Sequence, residues 1–578
     1  MKYKLLNRFL TILAFIMLTA AAMAQNDRTI KGKVTDASGE TLTGAYVVVK
    51  GTNNGVVTDA DGNYEITVEN PDQAVLVFSY VGFLSEEYEV GNASVIDVGL
   101  DEDITTLDEL VVIGYGTVKK RDLTGSVSSI KSSEITKTAS NNALQSMQGK
   151  IAGLDITKVS GESGAGVDIS LRGVRSVNAS NAPLFLVDGI EYGSTLDINA
   201  SDIESIEVLK DASSTAIYGT RGANGVIIIT TKRGMAAAEK MKVAFNTYFS
   251  INSPTNLPKL MSVEEDYRLL AERERFNDEE EAGDAWGSTN LADYPANEVL
   301  STTITPPYEK SVYDIYTEGG VDWFDMILQN GLTQNYELSL SGGTEKSAVS
   351  ASLGFMDEEG LMRNDNLKRY NGRINLDQSI RRNLKVGAGL LYTHRDWDRR
   401  DDEIFGQLIK MHALAQPYLA DGTILDKPSQ LAISHTNPLL NELEGYYSNN
   451  TLSNRLFGNV YLDWELIKGL RFKTVFGIDH NSSRIGEYED YMCTGNYQSG
   501  RGSYFEAESR QGMSYTWENT LNYAISLNNV HDIQLLAGQS AYQNINETHT
   551  TLGFGLQDHY GKNSFYDLQN ILPGGRIL

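Results

Sequence analysis

The chain has 578 residues, with 76 Asp and Glu against 49 Lys and Arg, a formal net charge of -27. That length calls for several domains at roughly 150 residues each, and that charge repels a phosphate backbone, which excludes nucleic acid as a partner. The one cysteine, Cys493, has no mate for an internal disulfide or for a zinc or redox pair.

Lys2, Lys4 and Arg8 precede an apolar run from Phe9 to Leu18, and Ala22-Met23-Ala24 follows as a small-x-small cleavage pattern. This predicts a signal peptide over residues 1–24 with the mature chain starting at Gln25, because the run is shorter than the roughly 20 residues of a spanning helix. Later stretches are too polar to span as helices. An exported chain of this kind is therefore either periplasmic or a β-barrel.

Residues 25–100 read as short strands (IKGKVTD, AYVVVKG, GVVTD, NYEITV, AVLVFSYVGF, SVIDVGL) separated by the turns Ser38-Gly39, Asn53-Asn54-Gly55 and Asp61-Gly62-Asn63. A small β-sandwich is expected. Asp59-Ala60-Asp61-Gly62-Asn63 has the look of a calcium loop, but it lacks the sixth-position Gly, the late Glu and the flanking helices of an EF-hand, so a hairpin turn is the expectation. GKVTD, TDADGNY and FSYVGF resemble the carboxypeptidase regulatory-like domain, an accessory module without catalytic residues.

An acidic connector leads into Asp108, Glu109, Leu110, Val111, Val112, Ile113, Gly114 and Tyr115 within the linker segment 101–117. A β-prone run after a charged linker suits strand addition to a partner's sheet edge, and it equally suits an ordinary buried strand. The run resembles the TonB box of SusC/RagA proteins, with Leu110 and Ile113 standing where Val is usual. The resemblance implies pairing with TonB of the TonB-ExbB-ExbD complex.

Residues 118–233 mix a short helix (143–150) with the strands GLDIT, VDISLRG, PLFLVDG, IESIEVLKD and GVIIIT. In ordered blocks they resemble the plug domain of TonB-dependent receptors. The motif residues are Arg172 and Gly173, Asp188 and Gly189, Lys210 and Asp211, then Tyr218, Gly219, Arg221, Gly222, Asn224 and Gly225. Glycines 219, 222 and 225 suit tight turns against a barrel wall, and Arg172 and Arg221 suit pairing with wall carboxylates. Gly161-Glu-Ser-Gly-Ala-Gly166 lacks the Lys and Ser/Thr of a phosphate-binding loop.

Residues 234–578 change to segments of alternating polarity, such as Val243/Phe245/Phe249/Ile251, Leu384/Val386/Ala388/Leu390 and Leu470/Phe472/Phe476/Ile478. Strands of about ten residues, short connections alternating with long ones, and 30 tyrosines against 17 phenylalanines suggest an outer-membrane wall with lipid on one face and a polar lumen on the other. The insertions 253–331 and 396–450 are rich in Asp, Glu, Asn and Tyr and read as solvated extracellular loops, with Tyr308, Trp323 and Trp397 as candidate sugar-stacking aromatics. Alternation marks nine segments here, fewer than the roughly 22 strands of a plugged barrel. Leu572-Pro-Gly-Gly-Arg-Ile-Leu578 shows no alternating strand, so an incomplete, open wall from a truncated or fragmentary copy is expected.

The expected fold is mainly β: an N-terminal sandwich, an α+β plug domain and an incomplete antiparallel outer-membrane barrel. The seven histidines form no HExxH pair, and no Gly-x-Ser-x-Gly elbow occurs. Neither an enzyme nor a cofactor or metal site is expected. The resemblance implies import of an oligosaccharide or peptide across the outer membrane under a SusD-like lipoprotein lid, with the sandwich and box in the periplasm. A siderophore- or cobalamin-type receptor and a surface adhesin are the alternatives.

Overall fold

The computed structural model describes residues 28–101, 110–113, 116–119, 127–234, 241–556 and 571–577, apart from 37–38, 53, 81–82, 139, 141, 179, 194–195, 285–286, 288, 402, 432–434, 494–501 and 528–530. The expected signal peptide and the expected box residues Asp108, Glu109, Gly114 and Tyr115 lie outside these. The chain divides into two compact units, 1–124 and 125–578.

In the first unit, strands β1 (Arg28–Asp36), β4 (Asn63–Val68) and β7 (Val98–Leu100) form one sheet, and β2 (Tyr46–Val49), β3 (Gly55–Val57), β5 (Val75–Ser79) and β6 (Glu86–Glu89) form the other. Period-two alternation places Ile30, Val34, Ile66 and Val68 from one sheet in a common core with Val47, Leu76 and Phe78 from the other. The Tyr64 and Phe78 rings meet edge to face at 5.4 Å. Strand β6 is a charged edge strand, EEYE, and its polarity hides it from a reading by hydrophobic pattern. The Asp59 carboxylate accepts the backbone N–H groups of Asp61 and Asn63, so the acidic loop is a hairpin turn fastened by its own side chain. Strands β8 (Leu110–Ile113) and β9 (Gly116–Lys119) pair as an antiparallel hairpin with Val112 opposite Thr117.

The second unit begins with the plug. Its strands β10 (Val127–Lys131), β13 (Leu184–Val187), β14 (Ile190–Tyr192), β15 (Ile203–Leu209) and β16 (Val226–Thr231) form a five-stranded sheet ordered β10-β15-β16-β13-β14, and β11 (Leu154–Lys158) pairs with β12 (Val167–Leu171). The expected helix near residue 143 is a 3-10 turn, Ala143–Met147, opened by the Asn142 side chain.

The wall is a ten-stranded antiparallel sheet of strands in chain order: β17 (Lys242–Asn252), β18 (Gly331–Gly343), β19 (Ser347–Glu359), β20 (Asn366–Arg381), β21 (Leu384–Arg399), β22 (Tyr447–Ile467), β23 (Leu470–Glu489), β24 (Tyr504–Leu527), β25 (His531–Leu556) and β26 (Ile571–Ile577). Among the described residues β17 and β26 do not pair, so the sheet is open. Every segment marked by alternation is a strand. The segment at 571–577 is a tenth, paired with β25, which corrects the expectation that the C-terminal stretch forms none. Strands β22 to β25 run 20 to 26 residues, about twice the 9 to 11 that cross a bilayer, so they continue past the hydrocarbon layer.

The two faces of the wall decide its environment. Val243, Phe249, Ile251, Leu353, Val460 and Trp517 are half or more exposed, whereas Asn335, Glu337, Asn371, Arg373, Asn375 and Asn459 are buried. A soluble sandwich buries the apolar face. Here the polar face is turned onto the plug and the apolar face is left outside, the arrangement a bilayer solvates. No described helix is long and apolar enough to cross a membrane, which says nothing about crossing by strands.

The insertions 253–330 and 400–446 are not separate solvated loops. Trp323, Phe324 and Ile327 of the first pack with Ile404, Leu408 and Leu439 of the second, and Leu270, Leu300 and Val312 close on Leu414. Helix Val263–Ala282 starts at a Ser262/Glu265 capping box, and its Asp266 accepts the Ala413 backbone N–H at 2.9 Å. The two insertions make one folded cap with its own core.

Candidate functional site

The plug runs the length of the wall, and polar side chains hold it at three levels. At the end with short connections, Arg233 donates to Asp377 at 2.7 Å, and Asn375 donates to the Lys232 carbonyl at 2.9 Å. In the same layer Arg373 donates to the Asp202 carbonyl, and Ser352 to the Asp202 carboxylate, each at 2.9 Å. Burial pushes the Asp202 carboxyl above its ordinary range, against the opposing pull of Arg373 and Ser352.

At mid-height Arg455 of β22 grips Asp479 of β23 in a bidentate pair at 2.9 and 2.6 Å and lies 3.5 Å from Asp197 of the plug. Its guanidinium stacks 3.5 Å from the centroid of the Tyr192 ring. Tyr192 donates its hydroxyl to Asp197 and packs edge-on against Phe457. Burial, then the charge of Asp197, raises the Tyr192 phenol well above its ordinary pKa, so it stays a neutral donor. Gly477 lies beside this latch, and a Cβ there would sit 2.6 Å from Ile190 of the plug, so glycine lets plug and wall approach.

At the end with long insertions, the 161–166 loop presents the Ser163 N–H, at 2.8 Å, and the Ser163 hydroxyl to the Asp365 carboxylate, and the Gly164 N–H to Glu358 at 2.9 Å. The loop that lacks a phosphate-binding signature holds wall carboxylates. Trp397 donates its indole N–H to Ser163 and is flanked by the Arg395 and Arg399 guanidinium groups, 5.3 and 4.7 Å from its ring. Trp323 is 1% exposed and donates to the His412 carbonyl, so it is core and offers no face to a sugar. Tyr308 is half-buried at the edge of the cap.

The plug motif residues mostly shape the plug itself. Asp188 and Gly189, at φ 49° and 88°, make the two-residue turn between β13 and β14, and the Asp188 carboxylate accepts the Thr231 N–H at 3.0 Å. Arg172 and Gly173 turn the chain at φ 61° and 85°. Lys210 donates to the Ala152 carbonyl, Asp211 caps the turn at Ser214, Tyr218 is buried, and Asn224 donates to the Ser180 carbonyl. Gly219 and Gly225 hold positive φ, and added Cβ atoms at Gly222 and Gly225 would strike Thr215 and Leu171 of the plug rather than the wall.

Among the described residues the expected pairing of Arg172 and Arg221 with wall carboxylates does not occur. Arg221 pairs with Glu191 of the plug at 2.7 Å and meets the wall only over the Tyr542 ring, while Arg172 has no ion pair among the described residues. Apart from Arg233 at the end of the plug, the polarity is reversed, with wall arginines 373, 399 and 455 reaching plug acceptors. The phase of the wall strands carried the signal, because Arg373 and Arg455 stand on the lumen-facing alternation of β20 and β22.

Above the latch lies a cavity of about 590 Å³ bounded by Tyr192 of the plug and by Arg455, Asp479, Asn481, Tyr542 and Asn546 of the wall. No described group of His, Cys, Asp and Glu suits a metal ion. Cys493 is buried, and its thiol donates to the Tyr446 carbonyl.

Two family models match: the TonB-dependent Receptor Plug Domain over residues 119–226 and the CarboxypepD_reg-like domain over residues 30–112. TonB-dependent receptor P26 of Formosa agariphila is 33% identical over 95% of this chain and 52% of its own length, and TonB-dependent receptor SusC of Bacteroides thetaiotaomicron is 37% identical over 64% of this chain and 34% of its own. This chain belongs to the TonB-dependent receptor family of the SusC/RagA type. It spans about half the length of P26. The RagAB peptide importer in its open-open state shares the fold at a TM-score of 0.61 and 24% identity, over 81% of this chain and 53% of the importer chain. In this SusC/RagA-type receptor the arginine latch therefore sits between plug and barrel wall.

Proposed function

We propose that the protein actively imports a nutrient, an oligosaccharide or a peptide, across the outer membrane and is not an enzyme. The observation that carries this is the wall turned inside out, with its polar face on a plug that must move before a cargo passes. The proposed division is a signal peptide at 1–24, a periplasmic sandwich at 25–100, the linker and TonB box at 101–117, the plug at 118–233 and the wall at 234–578. Strand β8, which carries Leu110 to Ile113 of the box, already pairs with β9 along one edge and so has its other edge to offer to TonB. The insertion cap faces the outside, where a SusD-like lipoprotein meets it.

The test is Val112→Pro in the protein as the cell makes it. Proline deletes a backbone donor from the box strand. Uptake of the transported nutrient should cease while the surface still binds it, and growth on that nutrient at the native rate overturns the box assignment.

A further inference from the structure

Arg369 of β20 and Arg395 of β21 stand directly opposite one another in the sheet, both on the lumen-facing phase. Like charges placed opposite each other across an antiparallel pair repel, and a guanidinium withdrawn from water needs acceptors. Among the described residues the Arg395 guanidinium makes no hydrogen bond and no ion pair; its contact is the Trp397 ring at 5.3 Å. The carboxylates whose charge reaches it are Asp197 and Glu358. Both are committed elsewhere, Asp197 to Tyr192 and Arg455, and Glu358 to the Gly164 N–H.

Arg395 lines two cavities at once, the one of about 590 Å³ above the latch and another of about 860 Å³ that it shares with Arg369. The other arginines of the first cavity are matched: Arg399 with Glu162, Arg455 with Asp479, and Arg510 with Glu508. Among the described residues Arg395 is thus the cation of this cavity left without an ion pair, in a chain whose net charge is -27. Around it the first cavity presents amides and hydroxyls, among them Asn481, Ser514, Asn544 and Asn546, groups that match sugar hydroxyls better than apolar peptide side chains.

We propose that Arg395 is a specificity residue for an anionic oligosaccharide: it receives a carboxylate or sulfate carried on a sugar ring, while the amide rim receives the hydroxyls. Guanidinium is suited to this because its planar donors meet two oxyanion oxygens together. The inference rests on the import reading and chooses, within it, charged glycan over peptide.

The test is equilibrium binding by calorimetry to the protein purified from outer membranes in detergent. The probes are tetragalacturonate, sulfated galactotetraose, neutral galactotetraose and tetraglutamate. At least one charged sugar should bind about tenfold or more tightly than the neutral one, the worth of one charge-assisted contact. Arg395→Gln should remove that preference and Arg395→Lys should keep part of it, with the native heat-modifiability on gels confirming the fold of both. No preference in the native protein, including binding of none of the sugars, overturns the proposal, as does a preference that survives Arg395→Gln. Tetraglutamate bound as tightly as the charged sugars overturns the choice of glycan. The Val112→Pro protein should keep the charge preference, so normal import by that variant would remove the TonB reading and leave the binding result standing.

Discussion

Arg455→Met tests whether the mid-height latch holds the plug. The substitution keeps much of the aliphatic stem and removes the guanidinium that joins Asp479, Asp197 and the Tyr192 ring. All of these are largely withdrawn from water, with the Arg455, Asp479 and Asp197 side chains 13%, 11% and 7% exposed. Removing the cation strands two carboxylates, and breaking a buried pair in this way costs about 3–5 kcal/mol. Because part of that cost is recovered as water enters the neighbouring cavity, about 3 kcal/mol is the working figure. At about 1.4 kcal/mol per tenfold, local opening of the β13–β14 hairpin should become about a hundredfold more frequent. Hydrogen exchange of the amides from Leu184 to Tyr192, followed by mass spectrometry on protein in detergent, reads this directly. The amides of β20 and β21 should keep their native rates. Arg455→Lys should recover only a fraction, because an ammonium makes neither the bidentate pair nor the same stack. Exchange in the hairpin unchanged to within about threefold would refute the view that this arginine carries the plug's attachment.

Gly477→Val should push Ile190 and its hairpin off the wall at about 1–3 kcal/mol, and Ile190→Ala in the same protein should relieve it, measured by the same exchange experiment. Trp323→Ala should cost the cap about 3–5 kcal/mol, opening residues 253–330 to limited proteolysis while the wall stays heat-modifiable. Wall and cap unfolding together would show that the cap has no core of its own. Deleting Thr29 to Leu100 should leave insertion into the outer membrane intact, as fractionation would show, and loss of the protein from that membrane would mean the sandwich is needed for assembly.

Much of the wall was legible because a strand with unlike solvents on its two faces has to alternate. The segments around Val243, Leu338, Leu353, Leu390 and Phe476 reveal themselves in this way. Strand β6 and the stretch from Ile571 to Ile577 were hidden, the first by its run of glutamates and the second by Pro573 and two glycines, which spoil the pattern without preventing pairing with β25. The plug motifs were legible as blocks, but what each residue does was not. Arg172 and Arg221 read as outward-reaching cations, and only the geometry shows one as a turn residue and the other paired with Glu191. Arg373 and Arg455 stand on the lumen phase of their strands, where the alternation could have marked them, but their plug partners, 171 residues away in the case of Asp202, belong to tertiary structure. The shared core of the insertions was missed because its apolar residues are scattered through acidic stretches and meet only when 253–330 and 400–446 come together.

If the chain is exported across the inner membrane as an unfolded thread, as the proposed signal peptide requires, that joint core sets an order of events. Trp323, Phe324 and Ile327 emerge before Ile404, Leu408 and Leu439, with strands β18 to β21 threaded between them. Until the later insertion arrives, the earlier one presents greasy side chains to the periplasm with nothing to cover them, beside wall strands whose apolar faces await lipid. The cap is therefore completed late, and the interval before its second half appears is when the nascent protein has most need of a holding chaperone.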